Sequence, residues 1–293
     1  MTGPHAGEAD TAKKASLTGS RAISVVGQSA PIGPSITKRT LTDVLIAVLS
    51  IGCLFAVWEF ASRTFGLLLL FPPPTVTLRR FAELMATGEL ERAGLFSLLR
   101  IFAGFFVGSL AGIFLGLLMG SFVNVRAVAE PYVHFFRFVP PLAWFAPVML
   151  WFGSGEVART ILIVYTTIFI VALNAMAGVA AVPRNKTRMA HTFGATDAEV
   201  FRLITLPACA PYIFTGMRIA LGNSFMTIVV AEILGARDGL GYLINNGVLF
   251  LDVALVFSGI IALGILGFLS DAVFSLLIRR FAGQFAPPHS TSG

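Results

Sequence analysis

The sequence predicts an all-α, polytopic membrane protein with six transmembrane helices. Of its 293 residues, 56% are hydrophobic and only 12% are charged, whereas a soluble domain carries about 25% charged residues. The mean hydropathy is +0.84. In addition, six stretches approach the length of about 20 mainly apolar residues that a membrane-spanning helix needs. These three observations exclude an ordinary soluble domain.

The predicted spans follow a polar N-terminal segment. Residues 1–40 lack the apolar core of a secretory signal, and we expect a disordered tail there. The six spans are 44–61, 101–122, 138–152 with a backward extension over 132–136, 160–182, 211–231 and 253–270. We divide the chain into a tail (1–40), a first transmembrane helix (41–62), an external segment (63–94), a membrane domain (95–280) and a second tail (281–293).

The basic residues predict the orientation. Lys and Arg concentrate in the cytoplasmic loops of membrane proteins, and most of them fall on one side when both termini are cytoplasmic. That side then holds both tails and the loops 123–130 and 183–208. The net charge of +6 is therefore explained by anchoring at the membrane and does not require nucleic acid.

The external segment combines a proline run with an amphipathic pattern. Three prolines follow Phe71 and form a rigid, non-helical piece. From Thr75 onward the apolar residues have helical spacing, with Arg79, Arg80 and Glu83 on other faces. The pattern predicts either an interfacial amphipathic helix or an ordinary packed helix outside the membrane.

Two spans carry unusual residues. The second has glycines at four-residue intervals, which let another helix backbone approach closely, either within one subunit or at a subunit interface. They are Gly104, Gly108, Gly112, Gly116 and Gly120. In the third span, Pro140 and Pro141 break the helical ladder directly after Arg137. Such a break indicates either a translocation path or a simple kink at the interface.

The segment 184–207, which we call the elbow, has the pattern of two short helices. Residues 188–193 predict one helix that Gly194 ends. Thr196 and Glu199 form a capping-box pattern at the start of the next, and Leu206-Pro207 is expected to end the segment. An apolar face follows Glu199. It could dock onto another protein or lie on lipid headgroups.

No pattern in the sequence predicts catalysis. A GxxxxGK[ST] phosphate loop is absent, so no ATP site of that kind is expected on this chain. The four histidines are scattered without metal-ligand spacing, and Ser154, in a short Gly-Ser-Gly turn, has no histidine base in a partner span. We therefore expect no catalytic residue, no metal site and no cofactor on this chain.

Several motifs together resemble the permeases of binding-protein-dependent ABC importers. Gly194, nine residues and then Ile204-x-Leu206-Pro207 are similar to the cytoplasmic EAA loop of that family. Residues 137–144 (RFVPPLAW), 215–222 (TGMRIALG), 231–236 (AEILGA) and 239–242 (GLGY) resemble motifs of its sulfonate, taurine and nitrate branch. In place of the family's Glu-Ala-Ala, this chain has Arg188-Met189-Ala190, which reverses a charge.

The resemblance implies a type I ABC importer permease fold and a set of partners. These partners are a second copy of the permease, two ATP-binding subunits that hold ATP and Mg, an external substrate-binding protein and membrane lipid. The location implied is the bacterial cytoplasmic membrane. The elbow would couple to the ATPase through Arg188, Met189, Ala190, Gly194, Ala195, Ile204, Leu206 and Pro207. Candidates for the translocation path are Arg137, Pro140, Pro141, Trp144, Asn174, Arg218, Asn223, Thr227 and Glu232.

Two other classes of function remain to be weighed. A secondary transporter or channel driven by an ion gradient would need paired ionisable residues near mid-membrane, and a membrane enzyme would need a nucleophile and base. For an importer, the resemblance implies a small organic anion such as an alkanesulfonate or taurine. Alternatives are nitrate or bicarbonate, an aromatic carboxylate or a pyrimidine precursor.

Overall fold

The computed structural model describes residues 41–64 and 71–282, where every regular element is helical. The helices are α1 (Leu41–Thr64), α2 (Pro74–Ala86), α3 (Glu89–Ser121), α4 (Val123–Phe136), α5 (Phe145–Phe152), α6 (Glu156–Ala180), α7 (Arg184–Thr192), α8 (Asp197–Val200), α9 (Leu206–Gly235), α10 (Leu240–Leu249) and α11 (Val253–Ala282). A 3-10 turn (Pro141–Trp144) precedes α5, and a π-helical turn (Phe201–Thr205) joins α8 to α9. The predicted tails lie outside the described residues, except that α11 reaches Ala282.

Within the described residues, four helical stretches meet both the length and the hydropathy expected of a membrane span. They are α3, α6, the continuous stretch Asp197–Gly235 and α11. The pair formed by α4 and Pro141–Phe152, which we call the broken span, passes the same test together but bends by 90°. Helix α1 has 24 residues, or about 36 Å at 1.5 Å per residue, which exceeds the hydrocarbon thickness of about 30 Å. These elements are consistent with the six predicted spans.

The glycine stripe determines how α3 packs. A Cβ atom added at Gly104 would meet Ile163, at Gly108 Thr167, at Gly112 Val171 and at Gly120 Val179. Residue numbers rise together in these pairs, so α3 and α6 run parallel with their backbones in close contact. Of the two interpretations of the stripe, packing within one subunit matches these contacts.

This parallel packing decides the course of the broken span. Helix α3 ends beside the end of α6, so the chain between Ser121 and Glu156 must return to the opposite end of the bundle. A re-entrant loop would bring the chain back to the end that it left. The broken span therefore crosses the bundle in two pieces.

Helices α9 and α11 complete the bundle. Helix α9 is antiparallel to α6, because Cys209 lies near Gly178 and Ser224 near Thr167. Helix α11 is in turn antiparallel to α9, because Arg218 pairs with Asp271 and Phe225 lies near Gly267. The elbow consequently lies at one end of the bundle, while α2 and α10 lie at the opposite end. The main apolar core is formed by buried residues of α3, α6 and α9 together with Val148 of α5.

Two units are distinguished along the chain, Met1–Leu54 and Phe55–Gly293. In the first, the described residues form only the beginning of α1. In the second, α2 starts with Pro74 at a first-turn position, where proline's missing N–H is harmless. One face of α2 buries Leu84 in a cluster with Leu240 and Leu255, while Val76 on another face is about half exposed. The predicted amphipathic helix is thus present and packs on the bundle.

One helix is longer than its predicted span, and one expectation about a helix boundary was wrong. Helix α3 begins at Glu89, well before the predicted span 101–122, because hydropathy marks only the apolar part of a helix. Leu206-Pro207 does not end the elbow, since the helix continues from Asp197 to Gly235. Pro207 lies in the first turn of α9. The preceding turn is π-helical, with the Leu206 N–H bonded to the Phe201 carbonyl. This change in the hydrogen-bond pattern accommodates the backbone N–H that Pro207 lacks.

Candidate functional site

A cavity of about 590 Å³ lies between the broken span, α6 and α9. Most of its lining is apolar and includes the aromatic side chains of Phe138, Phe145 and Phe169. The polar lining residues are Arg137, Tyr165, Thr166, Asn174, Asn223 and Thr227. Arg137 is the one charged residue among the described lining residues, and no carboxylate is among them. The cavity therefore suits a neutral or anionic molecule with an apolar part.

Asparagine amides supply the hydrogen-bonding capacity of the cavity. The Nδ2 atom of Asn174 donates to the carbonyl of Ile170 at 2.8 Å, and that of Asn223 donates to Ile219 at 3.0 Å. Each amide retains a second N–H and a carbonyl oxygen. On the same wall the hydroxyls of Thr166 and Thr227 lie 3.0 Å apart, which joins α6 to α9.

The broken span forms another wall of the cavity. Pro140 is extended, with φ −60° and ψ 141°, so the helix cannot continue through it. The Tyr165 hydroxyl from α6 donates to the carbonyl of Phe136 at 2.5 Å and lies 3.2 Å from that of Val139. The predicted break is therefore present, and a side chain of α6 holds it.

The predicted path residues divide into two groups. Those that line the cavity are Arg137, Pro140, Pro141, Asn174, Asn223 and Thr227. Trp144, Arg218 and Glu232 do not line it. Trp144 packs behind the wall with its ring 5.9 Å from that of Tyr165, Arg218 pairs with Asp271 at 2.6 Å, and Glu232 belongs to a buried charged cluster. Sequence position alone did not reveal which way these three side chains point.

The charged cluster consists of Arg100, Glu156, Arg159 and Glu232 at the end of the bundle opposite the elbow. Glu232 is 1% exposed and accepts from Arg100 Nη1 at 2.7 Å. Glu156 accepts from Arg100 Nη2 and from Arg159 Nη1, both at 2.8 Å. Arg159 Nη2 also donates to the carbonyl of Gly235. Two guanidinium groups and two carboxylates thus compensate each other; three of these charges are buried and therefore require a partner, while Glu156 is exposed.

Glu232 also holds the start of α10. Its carboxylate accepts from the backbone N–H of Gly241 at 2.9 Å and from the Ser97 hydroxyl at 2.9 Å. The Ser97 oxygen accepts from the N–H of Leu240 at 2.9 Å. Gly239 has φ +114°, and a side chain there would collide with the Glu232 carboxylate. Two side chains from other helices therefore cap α10, which identifies Glu232 as a structural residue.

Sequence reasoning did not predict the roles of Arg100 and Arg159. Each directly precedes a predicted span, and such arginines are ordinarily read as topology markers. Both side chains are only 4% exposed. The available signal was the pair of acidic residues, Glu156 and Glu232, at the same predicted end of the membrane.

The centre of the elbow, from the Gly194 turn to the capping box, has the local geometry that its sequence predicts. Helix α7 ends before Gly194, which has φ +87°, and the N–H of Ala195 returns to the Ala190 carbonyl at 3.0 Å, a bond typical of helix C-termini. Thr196 and Glu199 form a capping box, with Thr196 N donating to Glu199 Oε2 at 2.8 Å. These bonds give the elbow a defined angle.

One part of the elbow's surface is apolar and open. A second cavity, of about 510 Å³, is lined by residues that include Met189, Phe193 and Leu203, and the Phe193 side chain is 85% exposed. Arg188 is exposed, and no salt bridge is formed by it within the described chain. Exposed apolar residues concentrated in this way mark a surface that another molecule covers.

Metal binding finds no support in the described ranges. No group of three or more His, Cys, Asp or Glu residues there could hold a metal ion. The two cysteines, Cys53 and Cys209, are not joined to each other.

Comparison with known proteins gives a consistent set of matches. The model of the family described as binding-protein-dependent transport system inner membrane component matches residues 108–283. The taurine transport system permease protein TauC of Escherichia coli (strain K12) is 35% identical over 246 residues, which cover 81% of this chain and 89% of that protein. The bicarbonate transport system permease protein CmpB of Synechococcus elongatus is 28% identical over 261 residues, covering 86% and 94%.

A solved structure has the same fold. In the inward-facing structure of the MetNI methionine ABC transporter, one chain aligns with a TM-score of 0.56 at 19% identity. The alignment covers 64% of this chain and 93% of that chain.

Proposed function

Because the chain belongs to the family of binding-protein-dependent transport system inner membrane components, we propose that its cavity forms part of the path of a small organic anion into the cell. The resemblance found in the sequence and the all-α membrane fold are both confirmed by this membership. The chain is the permease component of an ABC transporter, and the ATPase is a separate subunit. The permease itself therefore carries out no hydrolysis.

Family membership implies two kinds of partner, an ATP-binding subunit and an external substrate-binding protein. In our proposal two copies of the chain assemble with two ATP-binding subunits, which hold ATP and Mg. The open cavity supports this stoichiometry, because Arg137 is exposed and charged groups are costly towards lipid. A second copy facing the cavity would shield this group and close the path.

The elbow is the proposed contact with the ATPase. Its exposed apolar side chains, among them Met189 and Phe193, would enter a groove on that subunit. The capping box and the Gly194 turn hold this surface at a fixed angle to α9. Since the helix runs unbroken from Asp197 to Gly235, movement of the elbow would be transmitted directly to Asn223 and Thr227 in the cavity wall.

The proposed location is the bacterial cytoplasmic membrane, with the elbow and both termini in the cytoplasm. The excess of Lys and Arg on that side supports this orientation. Helix α2 and the charged cluster would then face the substrate-binding protein, because they lie at the end opposite the elbow.

The proposed substrate class is a small organic anion of the taurine or alkanesulfonate type. Arg137 supplies positive charge at the cavity, and Asn174 and Asn223 supply amide donors that suit sulfonate oxygens. The similarity to the taurine permease supports the same class, whereas bicarbonate, the substrate named for another relative, would leave the apolar lining without a partner.

The single observation that carries this proposal is the amide- and arginine-lined cavity beside the broken span. We would reconstitute the complex with its ATPase and binding protein in liposomes and measure ATP-dependent uptake of labelled taurine, with bicarbonate and nitrate as competitors. Arg137→Gln should reduce uptake of the anion at least severalfold. The control Arg79→Gln, on the exposed face of α2, should retain it. Equal uptake by both variants would contradict a role for the cavity in anion passage.

A further inference from the structure

The proline break in the broken span leaves backbone carbonyls without their helical partners. In an α-helix the carbonyls of Phe136 and Arg137 would accept from residues 140 and 141, but both are prolines without an N–H. A carbonyl at membrane depth that finds no donor costs several kcal/mol. The break must therefore be compensated from elsewhere in the protein.

The Tyr165 hydroxyl compensates one of these two carbonyls, that of Phe136. It donates to Phe136 at 2.5 Å, which also receives the Val139 N–H at 3.0 Å. For the Val139 carbonyl, the Tyr165 hydroxyl at 3.2 Å is the sole hydrogen-bond donor within the described chain. The single proton of the Tyr165 hydroxyl thus lies between two carbonyls just before the proline pair and is nearer to that of Phe136.

The Tyr165 ring belongs to an aromatic cluster that includes residues on both sides of the break. Trp144, after the break, lies 5.9 Å away between ring centroids. Phe136, before the break, packs at 6.2 Å on Trp144 and at 6.4 Å on Phe169, which in turn lies 5.1 Å from Tyr165. Both arms of the broken span are therefore tied to α6 through a single aromatic cluster.

Helix α6 is a rigid support for this contact. Its glycine contacts with α3 flank Tyr165, since Gly104 packs on Ile163 and Gly108 on Thr167. Close packing of this kind allows little movement. The movable partner in the contact is consequently the broken span, which has no hydrogen-bond ladder through Pro140.

We propose that Tyr165 is a positioning residue that pins the bend of the broken span to α6 and thereby sets the width of the cavity. This contact between Tyr165 and the broken span, which we call the pin, involves residues of this chain alone. Its effect on coupling between ATP hydrolysis and substrate movement rests on the proposed function. When the pin is removed, the wall that carries Leu142 becomes free to move, and the cavity opens without ATP.

The test compares two tyrosine-to-phenylalanine variants, one on α6 and one on the broken span. Tyr165→Phe removes the hydroxyl that makes the bonds. Tyr132→Phe, on α4 of the broken span, is the matched control, because Tyr132 is exposed and forms no hydrogen bond within the described chain. A reporter cysteine replaces Leu142, which lines the cavity, in a background with Cys53 and Cys209 replaced.

The first measurement is the rate at which a small maleimide labels residue 142 in the assembled complex without ATP. Tyr165→Phe should raise this rate about fivefold, the factor that corresponds to a lost hydrogen bond of about 1 kcal/mol. Tyr132→Phe should label like the parent. Identical labelling rates in the parent and both variants would contradict the proposed role of Tyr165 in holding the bend.

The second measurement is the number of substrate molecules transported per ATP hydrolysed. Tyr165→Phe should lower this ratio while Tyr132→Phe leaves it unchanged. If the parent shows no ATP-dependent transport, the proposed function fails, but the labelling comparison still tests the pin. A changed labelling rate with a normal transport ratio would limit Tyr165 to a structural role and overturn its effect on coupling.

A third variant covers the case in which Tyr165→Phe does not assemble. Pro140→Ala restores an N–H in the register that meets the Phe136 carbonyl in an α-helix. In that background Tyr165→Phe should assemble, and its labelling rate should approach that of the Pro140→Ala single variant. Failure of the double variant to assemble would contradict the role assigned to the hydroxyl.

Discussion

Replacement of Glu232 by alanine should strongly destabilise the protein, because it leaves a buried arginine without one of its two carboxylates. Arg100 is 4% exposed and donates from Nη1 to Glu232 at 2.7 Å. Breaking a buried ion pair by removing one partner costs about 3–5 kcal/mol. Because Arg100 keeps its bonds to Glu156, we expect loss of the Arg100–Glu232 pair to cost an amount at the lower end of this range.

The same substitution removes the cap of α10. The Gly241 N–H loses its acceptor at 2.9 Å, and the Ser97 hydroxyl loses its partner. An unsatisfied buried donor costs about 1–3 kcal/mol. These effects share atoms and do not add fully, so we expect a total of about 3–5 kcal/mol. That loss corresponds to a decrease of roughly 10 °C in the unfolding midpoint.

The assay is thermal unfolding of the purified permease in detergent, followed by the fraction that remains monodisperse on size exclusion. Glu83→Ala is the control, since Glu83 pairs with Arg79 at 3.2 Å and Arg80 at 3.4 Å on the exposed surface of α2. Exposed pairs contribute about 0–1 kcal/mol. Glu232→Gln should fall between the two, because it keeps an acceptor for one donor but loses the charge. A midpoint for Glu232→Ala equal to that of Glu83→Ala would refute the assignment of the cluster as a structural element.

The remaining predictions concern packing, the elbow and topology. Gly112→Leu should destabilise the protein by about 1–3 kcal/mol through overpacking, because even a Cβ atom there would lie 2.7 Å from the Ile168 carbonyl oxygen. Gly264→Leu, where a Cβ atom meets nothing within 4 Å, is the control, and equal thermal midpoints would contradict the close contact. Gly194→Val should abolish substrate-stimulated ATPase activity while the spans still insert, because valine is strained at φ +87°. Gly194→Asn, which tolerates this conformation, should retain most of the activity, and normal coupling in the valine variant would contradict docking through the elbow. Single cysteines at Lys186 and Glu89 should label from opposite sides of the membrane, and labelling from one side would overturn the proposed orientation.

Local signals in the sequence predicted most of the individual elements correctly. The Gly194 turn, the Thr196–Glu199 capping box and the break at Pro140 depend on the conformational limits of a few neighbouring residues. Hydropathy likewise indicated spans that are consistent with the helices of the structure, because the length of a span follows from membrane thickness. For such features the physical cause lies within a few residues of the feature itself.

The direction of side chains was decided only by tertiary structure. Glu232 and Asn223 lie on the same helix and were both predicted to line a path, yet Asn223 faces the cavity and Glu232 faces Arg100. Arg100 and Arg159 looked like charges at the ends of spans, but both are buried. Whether a charge near a span end meets water or another charge depends on which helix packs beside it. That choice is made by long-range contacts such as the glycine stripe, whose partner helix lies more than fifty residues away in the chain.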